Sequence, residues 1–354
     1  MKRYVKLVAA SFLATLAMKQ TKAQDIHFSQ FYENAILRNP ALTGIFSGDY
    51  KVGVNYRNQW SNISVPFQTV LASAESRITV NEETGDNFSF GVTATYDKAG
   101  SINFNSFQVY PAVNYNKALE DKHQSYLSAG FTAGYIQRSV DPSKMTFASQ
   151  YQGGGYDPGN ASNENITNTK NTYFDVGAGV SFNSSLGEFN NINYYLGAAA
   201  YHINKPKAAF SESEAFLRLN TKWNGNFGFQ YLANNQLGFT MHANYSKQGT
   251  YQEIIAGVLG SWRTIDASLN SVFTFYGGVF YRVNDAWIPT VKLDYKSYSF
   301  TVSYDINSSG LKTASDGMGG MEISVYSRGI LTKGLWAQDK NKCPRFESML
   351  VPNF

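Results

Sequence analysis

The chain has 354 residues, of which 43% are hydrophobic and 15% aromatic but only 16% charged, against about 25% charged in ordinary globular domains. Its 24 Tyr, 25 Phe and 5 Trp are too much aromatic surface for a disordered chain, and a mean hydropathy of -0.31 is too low for a bundle of membrane helices. The formal net charge of +4 invites a nucleic-acid or anionic-membrane partner, an invitation that the N-terminus withdraws.

Residues 1–23 begin with Lys2, Arg3 and Lys6, continue through the apolar run Leu7 to Met18 and end at Thr21-Lys22-Ala23. This is the pattern of a secretory signal peptide cleaved near Ala23. The run is shorter than the about 20 residues of a spanning helix, and no Cys follows it to carry a lipid. The segment holds five of the Lys and Arg residues and no acid, so the exported chain is expected to carry a net charge of -1. Nucleic-acid binding, which rests on clustered basic charge, is thereby set aside. The single Cys343 cannot form an intrachain disulfide.

Residues 24–49 come next. The stretch Asp25 to Gly48 does not alternate, and it holds Phe28, Phe31, Tyr32, Leu37 and Leu42. Fully exposed it would be sticky, so it is predicted to pack in a barrel lumen, at its periplasmic mouth or on a partner.

From Tyr50 onward, period-two alternation dominates. It is clearest in Tyr50 to Tyr56, Phe88 to Tyr96, Leu127 to Tyr135, Phe174 to Phe182, Ile192 to Ala200, Leu237 to Tyr245, Ile254 to Trp262, Phe273 to Tyr281 and Tyr298 to Tyr304. Weaker strands are read over Val70 to Ile78, Ile102 to Tyr115, Leu217 to Tyr231, Val291 to Tyr295 and Met321 to Val325. That is about fourteen strands, an even number within the range of outer-membrane barrels. The apolar parity changes between Phe104 and Phe107, which predicts a β-bulge there, with Pro111 near an irregularity or an edge.

A soluble β-sandwich shares this pattern, but three features favour an antiparallel up-and-down transmembrane barrel. The spacing is about 24 residues per strand and connection, longer than the turn spacing of soluble sandwiches. Aromatics gather at strand ends (Tyr56, Trp60, Tyr96, Tyr115, Trp262, Tyr281, Tyr304), where a bilayer places its girdles. The longest connections, Ser139 to Lys170, Ile203 to Phe216 and Asp305 to Gly320, fall at the fifth, seventh and thirteenth positions, while even-numbered ones such as Lys296 to Ser297 are short. Long loops on one side and short turns on the other mark outer-membrane barrels, with both termini periplasmic. The organisation read is a signal peptide (1–23), an N-terminal periplasmic or plug segment (24–49), an all-β outer-membrane barrel (50–328) and a periplasmic C-terminal tail (329–354).

The sequence carries no chemistry that points to an enzyme. His27, His123, His202 and His242 are scattered, without the spacing of a zinc site. Gly177-Ala178-Gly179 lacks a third Gly and lies in a strand, so it reads as close backbone packing. Asp157, Asn160, Asn163 and Glu164 offer oxygen donors for calcium, but their spacing does not match a calcium loop, and these residue types are what exposed turns use. No metal or cofactor is expected.

Two segments outside the strands remain. Asp25, Phe28, Ser29, Gln30, Phe31, Tyr32, Asn39, Pro40, Ala41, Leu42, Thr43 and Gly44, then Tyr56-Arg57-Asn58-Gln59-Trp60, and finally Cys343-Pro344-Arg345-Phe346 together resemble the PorP/SprF family of outer-membrane proteins of the type IX secretion system. The motifs stand in the family's order at the two ends of the chain, whereas the middle fits by strand pattern alone. Ile26 and Ala35 replace prolines usual in the family, and Arg38 stands where an apolar residue is common before Asn-Pro. The resemblance implies a non-enzymatic barrel of type IX secretion or gliding motility in the outer membrane. Such a barrel would anchor or support secretion of a cell-surface adhesin through its C-terminal domain, or dock periplasmic machinery, with outer-membrane lipid around it. Phe28, Gln30, Phe31, Tyr32, Asn39, Pro40, Tyr56, Arg57, Gln59, Trp60, Cys343, Pro344, Arg345 and Phe346 are the candidate partner-binding or plug residues. The competing reading is a diffusion channel or hydrophobic-substrate transporter with an N-terminal plug.

Overall fold

A computed structural model of the chain describes residues 25–60, 65–81, 84–120, 122–163, 168–187, 190–208, 210, 218–265, 271–310 and 315–329. The expected signal peptide, Glu164 and the tail with Cys343 to Phe346 lie outside the described residues.

Fourteen antiparallel strands close into one barrel. In chain order they are β1 (Tyr50–Gln59), β2 (Phe67–Asn81), β3 (Asp86–Ala99), β4 (Phe104–Glu120) and β5 (Ser125–Ser139). After a two-stranded hairpin, β6 (Tyr151–Gln152) with β7 (Gly155–Tyr156), come β8 (Lys170–Leu186), β9 (Ile192–Tyr201), β10 (Lys222–Leu232), β11 (Leu237–Gln248) and β12 (Tyr251–Ile265). The wall is completed by β13 (Ser271–Arg282), β14 (Ala286–Tyr295), β15 (Tyr298–Asn307) and β16 (Met318–Gly329). Each barrel strand pairs with its neighbour in sequence, and the seam closes by pairing β1 with β16, Tyr50 opposite Gly329 and Gln59 opposite Gly320. Closure leaves no edge whose N–H and C=O groups would be unpaired in lipid.

The alternation of residues decides which face meets which medium. In β14 the side chains of Ala286, Ile288, Thr290, Lys292 and Asp294 are buried, while Trp287, Val291, Leu293 and Tyr295 are exposed. The same inversion runs around the wall: Phe131, Phe174, Trp223, Val258 and Phe300 project outward, whereas Asn55, Arg57, Asn114, Asp175, His242 and Glu322 project inward and are buried. An outer surface of Val, Phe, Leu and Trp around a polar interior is matched to a lipid bilayer rather than to water.

The expected bulge at Phe104 to Phe107 is not there. The β3–β4 ladder keeps constant register from Phe104 to Asn116. The parity changes because Phe104, at the strand's start, turns inward to pack on Phe210, with ring centroids 6.3 Å apart. The register shift on β4 falls between Ala118 and Glu120, against β5. Pro111 does mark an irregularity, since bridging to β5 lapses at Tyr110 and Pro111 where proline offers no N–H. Thr132 Oγ1 instead donates to the Pro111 carbonyl at 2.6 Å.

The two mouths differ. Residues 140–169 and 202–221 join strands at one mouth, whereas the other carries tight turns such as 233–236 and 296–297.

Candidate functional site

The interior is filled by the chain's own N-terminal segment. Asp25 starts it at the long-loop mouth beside His202, opposite to the periplasmic side expected for the N-terminus, and Gly48 ends it at the short-turn mouth, against Gly329. Between them run a 3₁₀ turn (Phe31–Glu33), one α-helical turn (Ala35–Arg38) and a second 3₁₀ turn (Pro40–Leu42). Breaks at Asn34 and Asn39, with Pro40 unable to continue a helix, keep the segment irregular and let it contact the wall on every side.

At the long-loop mouth, His202 sits between two carboxylates, 2.8 Å from Asp25 and 3.0 Å from Asp175. Tyr110 donates to Asp175 at 3.0 Å, and Lys222 lies 3.4 Å from Asp25. Burial alone would push the His202 imidazole down, but the flanking carboxylates dominate and raise it to about 9. Burial would push Asp25 up, but His202 and Lys222 outweigh it and hold the carboxyl well below the usual range.

Next comes a charged cluster on Ser29 and Gln30. The Ser29 and Gln30 amides donate to the two oxygens of Glu322 at 2.7 and 3.0 Å. The Ser29 hydroxyl donates to Asp305 at 2.6 Å and accepts from Arg57 at 3.0 Å and Arg282 at 2.7 Å. Arg57 also reaches Asp305 at 2.9 Å, and Asn55 donates to Glu322 at 2.9 Å. The Gln30 side chain donates to Ser303 and to the Glu322 carbonyl, and accepts from Ser324 at 2.6 Å. Two guanidinium groups face two carboxylates here, and every charge has an opposite neighbour.

Deeper in, Glu33 is clamped by Lys292 at 2.7 Å and Lys51 at 3.2 Å. Beside it the lumen wall is apolar: Ile255, Leu259, Tyr276, Phe280, Ala286 and Ile288 face inward and bury Phe31 and Tyr32. Tyr32 stacks on both Phe280 at 5.1 Å and His242 at 4.8 Å, which are themselves neighbours at 6.5 Å. A wholly polar lumen does not hold for β12 to β14. The sequence hides the patch because adjacent residues such as Ile254 and Ile255 are both apolar, one for lipid and one for the segment.

The Asn-Pro-Ala stretch seats on glycines. A Cβ on Gly130 would overlap the Pro40 and Ala41 backbone, and one on Gly179 would overlap the Asn39 carboxamide. Asn39 Nδ2 donates to the carbonyls of Val180 at 3.1 Å and Ala198 at 3.4 Å, while its oxygen accepts from the Ala41 amide at 2.9 Å. Asn114 donates to the carbonyls of Ala41 and Thr43, and Arg77 gathers those of Gly44, Phe46 and Gly48. Gly177-Ala178-Gly179 thus belongs to a strand whose Gly179 admits the segment.

Of the candidate residues, Phe28, Gln30, Phe31, Tyr32, Asn39 and Pro40 come together in the lumen, and Arg57 joins them from the wall. Tyr56, Gln59 and Trp60 do not. Tyr56 accepts from Gln68, and Trp60 packs its ring on Phe67 at 4.9 Å. The wall's own partners were missed: Asp175, His202, Arg282, Lys292, Asp305 and Glu322. The signal for all but His202, which directly follows β9, was a charge at an inward position of a strand. Among the described residues no group of three His, Cys, Asp or Glu is placed to hold a metal. Asp157 caps its own turn, accepting from the Gly159 amide at 2.8 Å.

The sequence profile of the family described as type IX secretion system membrane protein PorP/SprF matches residues 20–325. No curated protein matches the chain in sequence. Among solved structures, it is similar to a Pseudomonas aeruginosa FadL homologue with a TM-score of 0.50 and 12% identity, over 81% of this chain and 91% of that one. It is also similar to the Ralstonia pickettii toluene transporter TbuX with a TM-score of 0.47 and 12% identity, over 83% and 93%.

Proposed function

The chain belongs to the PorP/SprF family of type IX secretion membrane proteins, and from that premise we propose that it is an outer-membrane anchor for a secreted cell-surface adhesin or for periplasmic secretion components. The family and the barrel fold support a place in the outer membrane. The observation that carries the reading is the filled lumen. A segment fixed by Arg57, Arg282, Glu322 and Lys292 from the wall and seated on Gly130 and Gly179 leaves the two mouths as working surfaces. The long-loop mouth, with the Tyr151 and Tyr156 hairpin exposed, faces outward in this reading and receives the cargo's C-terminal domain. The short-turn mouth and the Cys343 to Phe346 tail face the periplasm and its machinery.

Affinity purification of the barrel from detergent-solubilised outer membranes of secreting cells tests this. A large surface adhesin or secretion component should accompany it, and recovery of the barrel alone counts against the reading.

A second reading, a transporter for hydrophobic solutes, draws on the apolar patch behind Phe31 and Tyr32, which withdrawal of the segment would uncover. Solute uptake by vesicles holding the intact chain separates the two.

A further inference from the structure

Arg38 is the one arginine of the N-terminal segment, and among the described residues its buried charge has no counter-ion within 4.0 Å. Its residue is 6% exposed. The guanidinium donates to two neutral acceptors, Tyr195 Oη at 2.7 Å and the Tyr32 carbonyl at 3.1 Å. It lies 5.7 and 5.8 Å from the ring centres of Phe31 and Tyr195. Among the described residues no carboxylate lies within 4.0 Å of it, in contrast to Arg57 and Arg282, each of which meets Asp305. An unpaired buried charge is worth several kcal/mol of instability, so this arrangement calls for an anion.

There is space for one. A cavity of ≈ 50 Å³ lies between the segment and the inner faces of β10 to β12, bordered by Arg38, Asn34, Phe31, Asn224, Asn244 and Lys222. Arg38 Nε and Asn34 Nδ2 are both buried with no acceptor, and Asn34 is 4% exposed. The acids on the same cavity are already engaged: Asp25 by His202 and Lys222, Glu253 by Tyr251 and Arg282. An idle N–H of the guanidinium and an idle N–H of the Asn34 carboxamide, on residues that border one cavity, match a planar group with two acceptor oxygens. Several water molecules would fit the volume but leave the charge unanswered.

We propose that Arg38 and Asn34 form a binding site for a carboxylate, reached from the long-loop mouth where Gln248 and Tyr251 border the same cavity. The carboxylate comes either as a small free anion or as the terminus of a peptide chain. The site belongs to the barrel's interior and does not depend on which cargo the barrel serves.

The test uses the full chain purified in detergent micelles, with folding of each variant verified by heat-modifiable gel mobility. Saturation-transfer NMR follows sodium acetate, with neutral acetamide as the isosteric probe at matched ionic strength. Acetate should bind and acetamide should bind at least about tenfold more weakly, the ratio expected from one charge-assisted hydrogen bond. Arg38→Met should weaken acetate to the same degree, and Arg38→Lys should retain part of the affinity. A short peptide with a free C-terminus, compared with its C-terminal amide, distinguishes the sources: preference for the free acid over acetate assigns the site to a chain end, and acetate alone assigns it to a small anion. Absence of acetate binding to the folded protein, equal binding of acetate and acetamide, or unchanged acetate affinity in folded Arg38→Met would overturn the proposal.

Discussion

Arg57 of β1 and Asp305 of β15 meet at 2.9 Å over the lumen face of β16, and the hydroxyl of Ser29 lies between them, donating to the acid and accepting from the guanidinium. The contact joins the segment's Phe-Ser-Gln motif to the Tyr-Arg-x-Gln-Trp motif of β1 through a strand near the chain's other end. Removing one partner strands a buried charge, so Arg57→Met or Asp305→Asn should each cost about 3–5 kcal/mol of unfolding free energy. Arg57→Met with Asp305→Asn should lose less than the two single losses added, because neither charge of the pair is then left without the other. Urea unfolding in lipid vesicles measures all three, and additive losses would show that the pair does not act as a unit.

The glycine seat makes a separate prediction. Gly179→Val would drive a side chain into the space of the Asn39 carboxamide and lift the segment from β8 and β9. Trypsin should then cut after Arg38, which is buried in the intact barrel, while the folded band persists in gel mobility. Combining Gly179→Ala with Asn39→Gly should restore protection relative to Gly179→Ala alone. Unchanged resistance in folded Gly179→Val would refute the seat.

At the long-loop mouth the Asp25 to His202 pair sets a pH window. His202 is raised from 6.5 to about 9, so its contribution is complete below pH 6.5 and fades as pH rises through about 9. Asp25 is lowered from 3.8, so its contribution is present above that pH and fades as pH falls below it. The thermal midpoint should therefore drop between pH 7 and pH 9.5, and His202→Gln should flatten that drop. An identical profile in the variant would mean that another group titrates.

On the outer face, Val258 stands exposed near the middle of β12. An arginine there meets hydrocarbon, and Val258→Arg should cost about 2–4 kcal/mol, whereas Val258→Ile should be nearly neutral. Unfolding in phosphatidylcholine vesicles measures this, and a neutral arginine would place that position outside the bilayer.

The wall was legible because one physical rule governs it: lipid outside and polar groups inside impose period two, so even the weaker reading over Val291 to Tyr295 falls within a strand, β14. The segment's burial was legible from Phe28, Phe31 and Tyr32, which need cover. Its location in the lumen was one of three options, and nothing local distinguishes them. The partners were not legible at all, since Ser29 and Glu322 are 293 residues apart and closure alone brings them together. Phe104 misled because a change of parity at a strand's first residue looks the same as a bulge.

In the proposed function the filled barrel works at its mouths rather than through its lumen. Planar-bilayer conductance of the full chain, set against a form lacking residues 25–48, tests it most directly. The intact chain should give no steady conductance and the shortened one open-pore currents. Steady ion flow through the intact chain at low voltage would contradict it.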